Sequence, residues 1–309
     1  MNSKRANLAF LITMIFDATV SLGVSYLFPA VAENLVLGNL VCELVILLPV
    51  ILFVLLSGEK FTEIMGFRKM KFTTVLAIIP FTMFTSPFIT LLNLLSQFFT
   101  DNTAAQMVTD YRMDQMPFWQ MFLTIAIFAP FCEELVCRGV YYQSYKKSSG
   151  AWKAMLLSAL IFALIHLNIN QAVYAFGMGI LAVLLVEAAG SLWASVVYHG
   201  LLNGSQVVLM YVMMKMDPQA YSRSSMDMIT TDMLVYSVTV YLVIAAICLP
   251  LGWALLVWMS GHEGRRGVLL QVWQDKKKKD KIISVSLILA LILCVCLMML
   301  PSLMEYIVG

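Results

Sequence analysis

Charge is what this sequence lacks most. Only 12% of its 309 residues are Asp, Glu, Lys or Arg, while 61% are hydrophobic. A soluble domain carries about a quarter charged residues and interrupts its apolar stretches with polar ones, so a soluble globular fold is excluded. The net charge of +2 is too small to point to nucleic acid, and the basic residues cluster between apolar segments. The six cysteines, Cys42, Cys132, Cys137, Cys248, Cys294 and Cys296, form no CxxC pair. All lie in apolar stretches, where they read as small buried hydrophobes rather than a disulfide or metal framework. No internal repeat of the kind transporters show is present. No interval between apolar runs is long enough for a soluble domain.

What is present is a series of apolar runs of membrane-spanning length, roughly 20 residues each. Backbone in lipid must satisfy its own hydrogen bonds, so runs of this length are read as helices. Nine are expected, at 8–31, 35–57, 73–99, 117–144, 152–169, 171–188, 191–213, 233–260 and 282–307. The fold class is therefore all-α, a polytopic transmembrane helical bundle. Between 152 and 213 the only punctuation is Asn168 to Gln171 and Gly190, so two helices there are expected to be short or tilted. Lys4 and Arg5 precede the first run, and Ala30-Val31-Ala32 has the shape of a signal-peptidase site. The run from Leu8 to Phe28 exceeds a usual signal core, so it is read as the first span.

Loop charge sets the expected orientation. Lys4 and Arg5; Lys60, Arg68, Lys69 and Lys71; Lys146, Lys147 and Lys153; and Arg265, Arg266, Lys276 to Lys279 and Lys281 all fall on one side of a nine-span arrangement. Asp101, Asp110, Asp114, Asp217, Asp227 and Asp232 fall on the other. The expectation is a multi-pass protein of a bacterial plasma membrane with its N-terminus cytoplasmic and its C-terminus external. Lys276–Lys279 is read as a stop-transfer anchor, with binding of anionic lipid heads as the alternative.

Ionisable residues are costly inside a membrane, so those within spans are functional candidates. They are Asp17, Glu43, Glu133, Glu134, Arg138, His166, Glu187 and His199, with Glu305 near the end of the last span. Asp17, Glu43 and Glu187 stand alone in sequence and are read as structural or interfacial. Glu134 and Arg138 are four apart, acid before base, the favoured order for an ion pair on a helix surface. Glu133 points about 100° away and is the freer carboxylate. Ser158, Phe162, His166 and Asn170 form one i, i+4 row; Ser191, Ser195, His199 and Asn203 form another. Gly200 and Gly204 make a GxxxG that admits a neighbouring helix. At about 1.5 Å per residue, Glu133, His166 and His199 lie about 12–18 Å from the cytoplasmic ends of their helices. They are expected to share a site near mid-membrane. Pro130, one turn before Glu133, cannot donate to the Ala126 carbonyl and is expected to kink or loosen its helix.

These residues carry a resemblance. Glu133-Glu134-Leu135-Val136-Cys137-Arg138 matches EExxxR, Phe162-Ala163-Leu164-Ile165-His166 matches FxxxH, and His199-Gly200-Leu201-Leu202-Asn203 matches HxxxN. In this order, on three expected membrane helices, they resemble the CAAX-protease and bacteriocin-processing (CPBP) family. The resemblance covers about 117–213, which divides the chain into N-terminal helices (1–116), a protease-like core (117–213) and C-terminal helices (214–309). It implies an intramembrane endopeptidase that uses activated water on a membrane-associated peptide or protein. Family members trim prenylated CAAX proteins or serve bacteriocin processing, self-immunity and peptide signalling.

Two mechanisms follow from it. In the preferred, cofactor-free version, Glu133 and His166 polarise water while His199 and Asn203 donate to the oxyanion, with Glu134, Arg138 and Phe162 in support. In the other, Glu133, His166 and His199 hold a divalent metal such as zinc. The chain has no HExxH, and a metal version would need a separate base. The alternative function is a non-catalytic membrane peptide-binding or bacteriocin-immunity protein.

Overall fold

A computed structural model describes residues 2–58, 60–100, 116–216, 230–274 and 282–308, with the backbone alone for 63 and 301–308. Its long helices are α1 (Ser3–Leu27), α2 (Leu35–Leu56), α3 (Phe72–Ser96), α4 (Phe118–Ser149), α5 (Ala151–Leu164), α6 (Ile169–Ala189), α7 (Leu192–Met216), α8 (Thr231–His262) and α9 (Val285–Val308). Short helices at Pro29–Ala32, Phe61–Met65 and Val268–Gln274 join them. Among the described residues there is no strand. Among the described residues seven helices, α1 to α4 and α6 to α8, are long and apolar enough to cross a membrane. The chain is an integral membrane protein, a polytopic helical bundle.

Local chemistry sets the helix ends. Asn34 and Asn168 cap α2 and α6, their side chains accepting from the N–H groups of Leu37 and Gln171 at 3.0 Å each; such caps satisfy donors a helix start leaves free. Gly190 ends α6 in the left-handed region at φ 72°, where a side chain is unfavourable. A Cβ there would also lie 3.0 Å from Cδ of Arg265.

The sequence placed a helix over 152–169, but α5 stops at Leu164 after 14 residues. At about 1.5 Å per residue that is about 21 Å, short of a hydrocarbon core about 30 Å thick. The chain turns at Leu167, which adopts φ 49°, and the Asn168 cap begins α6. The expected row of Ser158, Phe162, His166 and Asn170 is therefore divided. His166 follows the end of α5, and Asn170 on α6 donates instead to Asn93 and Ser96 of α3. Irregular backbone of this kind is tolerated at membrane depth only when protein surrounds it.

Helices α4 to α7 form the centre. α4 packs against α2, α5 and α7; α6 lies against α3, α5 and α7; α8 lies along α3, and α9 along α1. Asp101, Asp110, Asp114, Asp217, Asp227, Lys276 to Lys279 and Lys281, which carried much of the orientation argument, lie outside the described residues.

Candidate active site

The site is built on an irregular α4. Two stretches of it, Phe122–Phe128 and Leu135–Tyr142, are π-helical, and Ala129–Glu134 between them is α-helical. Such widened turns are frequent at functional sites. In the i→i+5 pattern, the donor for the Ile125 carbonyl would be residue 130, which is proline and has no N–H. Asn203 of α7 supplies the missing donor, its Nδ2 lying 3.0 Å from the Ile125 oxygen. The expected disturbance at Pro130 thus takes the form of a carbonyl opened toward α7.

The GxxxG of α7 makes that approach possible. A Cβ on Gly200 would lie 2.8 Å from the Ala126 carbonyl oxygen, and one on Gly204 would lie 3.2 Å from the Phe122 ring. The close crossing of α4 and α7 brings His199 beside both glutamates. Its Nδ1 lies 3.0 Å from Glu134 Oε1, and its Nε2 lies 3.5 Å from Glu133 Oε2.

Glu134 and Arg138 meet at 2.7 Å with both side chains 0% exposed. The sequence reading placed this pair on the helix surface; it is instead enclosed in the bundle. A guanidinium buried there needs an opposite charge beside it. Glu134 supplies the opposite charge, and the Phe162 ring lies 4.2 Å from Arg138 Cζ. Gly179 of α6 leaves room, since a Cβ there would lie 3.2 Å from Arg138 Nη2.

Phe162 also orients both imidazoles. Its ring meets His166 and His199 edge-on at 5.0 and 5.6 Å between centroids. Its carbonyl oxygen lies 2.7 Å from His166 Nδ1. A carbonyl can only accept, so Nδ1 carries the proton and Nε2 faces the site. That Nε2 lies 3.8 Å from Glu133 Oε1. Glu133 therefore stands between two imidazole Nε2 atoms, one oxygen toward each, at distances too long for direct hydrogen bonds.

Of the residues predicted from sequence, Glu133, Glu134, Arg138, Phe162, His166 and His199 form one connected cluster, and Asn203 lies one turn beyond His199. Glu187 is elsewhere, accepting from Tyr142 Oη at 2.8 Å, pairing with Lys146, and lying 3.6 Å from Arg265 Nη2. Asp17 is buried on α1 with Ser21 at 3.4 Å. Glu43, read as isolated, interacts electrostatically with Glu133; sequence position gave no sign of it beyond an acid inside a span. A cavity of about 550 Å³ between α3, α5 and α6 is lined wholly by apolar side chains and includes none of these residues.

The donor set of Glu133, His166 and His199 suits zinc in kind. As placed, however, no group of three or more His, Cys, Asp or Glu among the described residues is arranged to hold a metal ion. The two oxygens of Glu133 point to different imidazoles, one toward each Nε2.

With this geometry in hand, comparison with known proteins is decisive for one segment. Residues 115–205 match the Rce1-like family, the type II CAAX prenyl endopeptidases. The resemblance carried by the three motifs is thereby shown. The matched segment includes the whole of the Glu133, His166, His199 and Asn203 arrangement, and it is similar to a family of intramembrane proteases. No curated protein and no solved structure matches the chain.

Proposed function

We propose that this protein is an intramembrane endopeptidase in which Glu133 and His166 activate water. The observation that carries the reading is the position of Glu133 between the Nε2 atoms of His166 and His199, at 3.8 and 3.5 Å. Gaps of that size suit an intervening water, which would reach each group at hydrogen-bond distance. With Nδ1 of His166 held by the Phe162 carbonyl, its Nε2 accepts from that water. Glu133 takes the proton as the water oxygen bonds to the peptide carbonyl carbon and the carbonyl electron pair moves onto its oxygen. The leaving amine then receives a proton from Glu133 as the C–N bond breaks.

His199 and Asn203 serve the oxyanion. His199 donates from Nε2 when both ring nitrogens carry protons. Asn203 uses one amide hydrogen on the Ile125 carbonyl and has a second to give. Glu134 and Arg138 hold His199 in place and do not take part in the chemistry. The proposed partner is a membrane-associated peptide or protein; the proposed orientation places the N-terminus in the cytoplasm.

The test is incubation of the purified protein with host membrane peptides, followed by mass spectrometry for new termini. Wild type is expected to generate them and Glu133→Gln is not. Identical capture of peptides by both proteins, without cleavage, would support the binding alternative instead. Metal dependence is tested alongside. The rate is expected to survive exhaustive chelation; loss restored by zinc, with bound metal absent from His199→Ala, would replace this mechanism.

A further inference from the structure

Hydrolysis consumes a water at every turnover, and the side chain of the candidate base is only 12% exposed. α2, outside the segment that matches the family, packs along the part of α4 that carries Glu133. Its Glu43 is only 3% exposed. The Glu43 and Glu133 carboxyls lie close enough to interact electrostatically, and Cys132, next to Glu133, lies in the field of both. Glu43 Oε2 is buried and, among the described residues, has no hydrogen-bond partner. Asn39, four residues earlier and so on the same face of α2, also leaves its Oδ1 buried without a partner.

Buried acceptors without donors are uncommon in native proteins, and those that persist are usually served by water or by function. Here the two unpartnered acceptors are about 6 Å apart along the helix, at about 1.5 Å per residue. The second of them belongs to a carboxyl within electrostatic range of the one that must receive fresh water. The Glu43 oxygen without a partner and the Glu133 carboxyl can each accept a hydrogen from a donor between α2 and α4. Water satisfies both.

We propose that Asn39 and Glu43 form the water path to the active centre, with Glu43 a positioning residue that holds a water against Glu133. This rests on the proteolytic reading. Asn39 Oδ1 and Glu43 Oε2 each accept one hydrogen of a water passing along α2. The water at Glu43 donates its other hydrogen to Glu133, fixing that carboxylate and standing ready to replace the one consumed.

The experiment compares Glu43→Leu, Glu43→Gln and Glu133→Gln with wild type. Glu43→Leu is expected to lower kcat about tenfold or more, the equivalent of one well-placed water-mediated hydrogen bond. KM should stay within twofold, as roughly expected of a change that leaves substrate binding alone. Glu43→Gln, which keeps a polar group in place, should recover most of the rate. Thermal stability of Glu43→Leu should match or exceed wild type, because an unpartnered buried polar group has been removed. A readout independent of activity is hydroxyl-radical labelling of Cys132, which is 2% exposed and needs internal water to react. Labelling should fall several-fold in Glu43→Leu and persist in Glu133→Gln. Unchanged kcat and unchanged Cys132 labelling in Glu43→Leu, with Glu133→Gln inactive, would overturn the water path while leaving the protease intact. Loss of rate together with loss of stability would make Glu43 merely structural and equally overturn it. Full processing by Glu133→Gln would instead remove the proteolytic reading itself.

Discussion

On one face of α4, Glu134 and Arg138 touch at 2.7 Å, have no exposure, and are joined at 3.0 Å by His199. On the face one residue away, the Glu133 side chain is 12% exposed and comes no closer than 3.5 Å to either imidazole. The first face is closed and its opposite charges meet directly; the second is partly exposed and its carboxylate meets neither imidazole directly. Charges that hold a bundle together are paired directly, because a lone buried charge is costly. A group that must bind water and pass a proton cannot be so tightly engaged. The difference teaches that adjacent identical residues, turned about 100° apart, are given different surroundings by their neighbours, and on the proposed function different tasks.

Breaking the closed face should produce the largest change in stability. Arg138→Ala or Glu134→Gln leaves a buried partner uncompensated and is expected to destabilise the bundle by about 3–5 kcal/mol. The double substitution should cost less than the two singles together. Thermal denaturation in detergent checks this, and strict additivity would show that the two groups do not act as a pair.

The contrast is sharpened by Asn203 of α7, which serves both the architecture of α4 and the proposed chemistry. Asn203→Ala removes one proposed oxyanion donor, worth roughly 2.7–4 kcal/mol or 10²–10³ in kcat. It also removes the donor that stands in for Pro130 at the Ile125 carbonyl, at about 1–3 kcal/mol of stability. Both losses should appear in the same protein, by single-turnover kinetics and by denaturation. Asn203→Asp should keep neither, since a carboxylate oxygen cannot donate to a carbonyl.

The smallest effect is expected far from α4's open face. Arg265 lies at the end of α6, where its Nε donates to the Glu187 carbonyl at 2.8 Å. Its side chain is 30% exposed, and partly exposed pairs contribute about 0–1 kcal/mol. Arg265→Ala should lower stability by no more than about 1 kcal/mol, leaving kcat unchanged in the cleavage assay.

Much of this was legible before any coordinates. Long apolar runs with few charges admit only helices in lipid, so α1 to α4 and α6 to α9 begin and end within a few residues of expectation. Spacing alone gave the Glu134–Arg138 pair and the close crossing at Gly200 and Gly204. The failures occur where a local rule yields to tertiary structure. A helical row through Ser158, Phe162, His166 and Asn170 assumes one uninterrupted helix, and α5 ends before His166 because Asn168 is worth more as a cap. The π-helical turns of α4 are set by packing against α7 and by Pro130 together, and sequence showed only the proline. Glu43 was visible as an acid inside a span but not as a neighbour of Glu133, because nothing in sequence spacing connects α2 with α4.

The most direct test compares wild type and Glu133→Gln in two assays on the same preparation: cleavage of a host membrane peptide followed by mass spectrometry, and thermal denaturation in detergent. The neutral isostere keeps shape and loses the base. Cleavage should fall by the roughly 10²–10⁴-fold that a general base contributes, while the denaturation midpoint stays close to that of wild type. Undiminished cleavage, or inactivity accompanied by a collapse in stability like that expected of Arg138→Ala, would contradict the division of labour between the two faces.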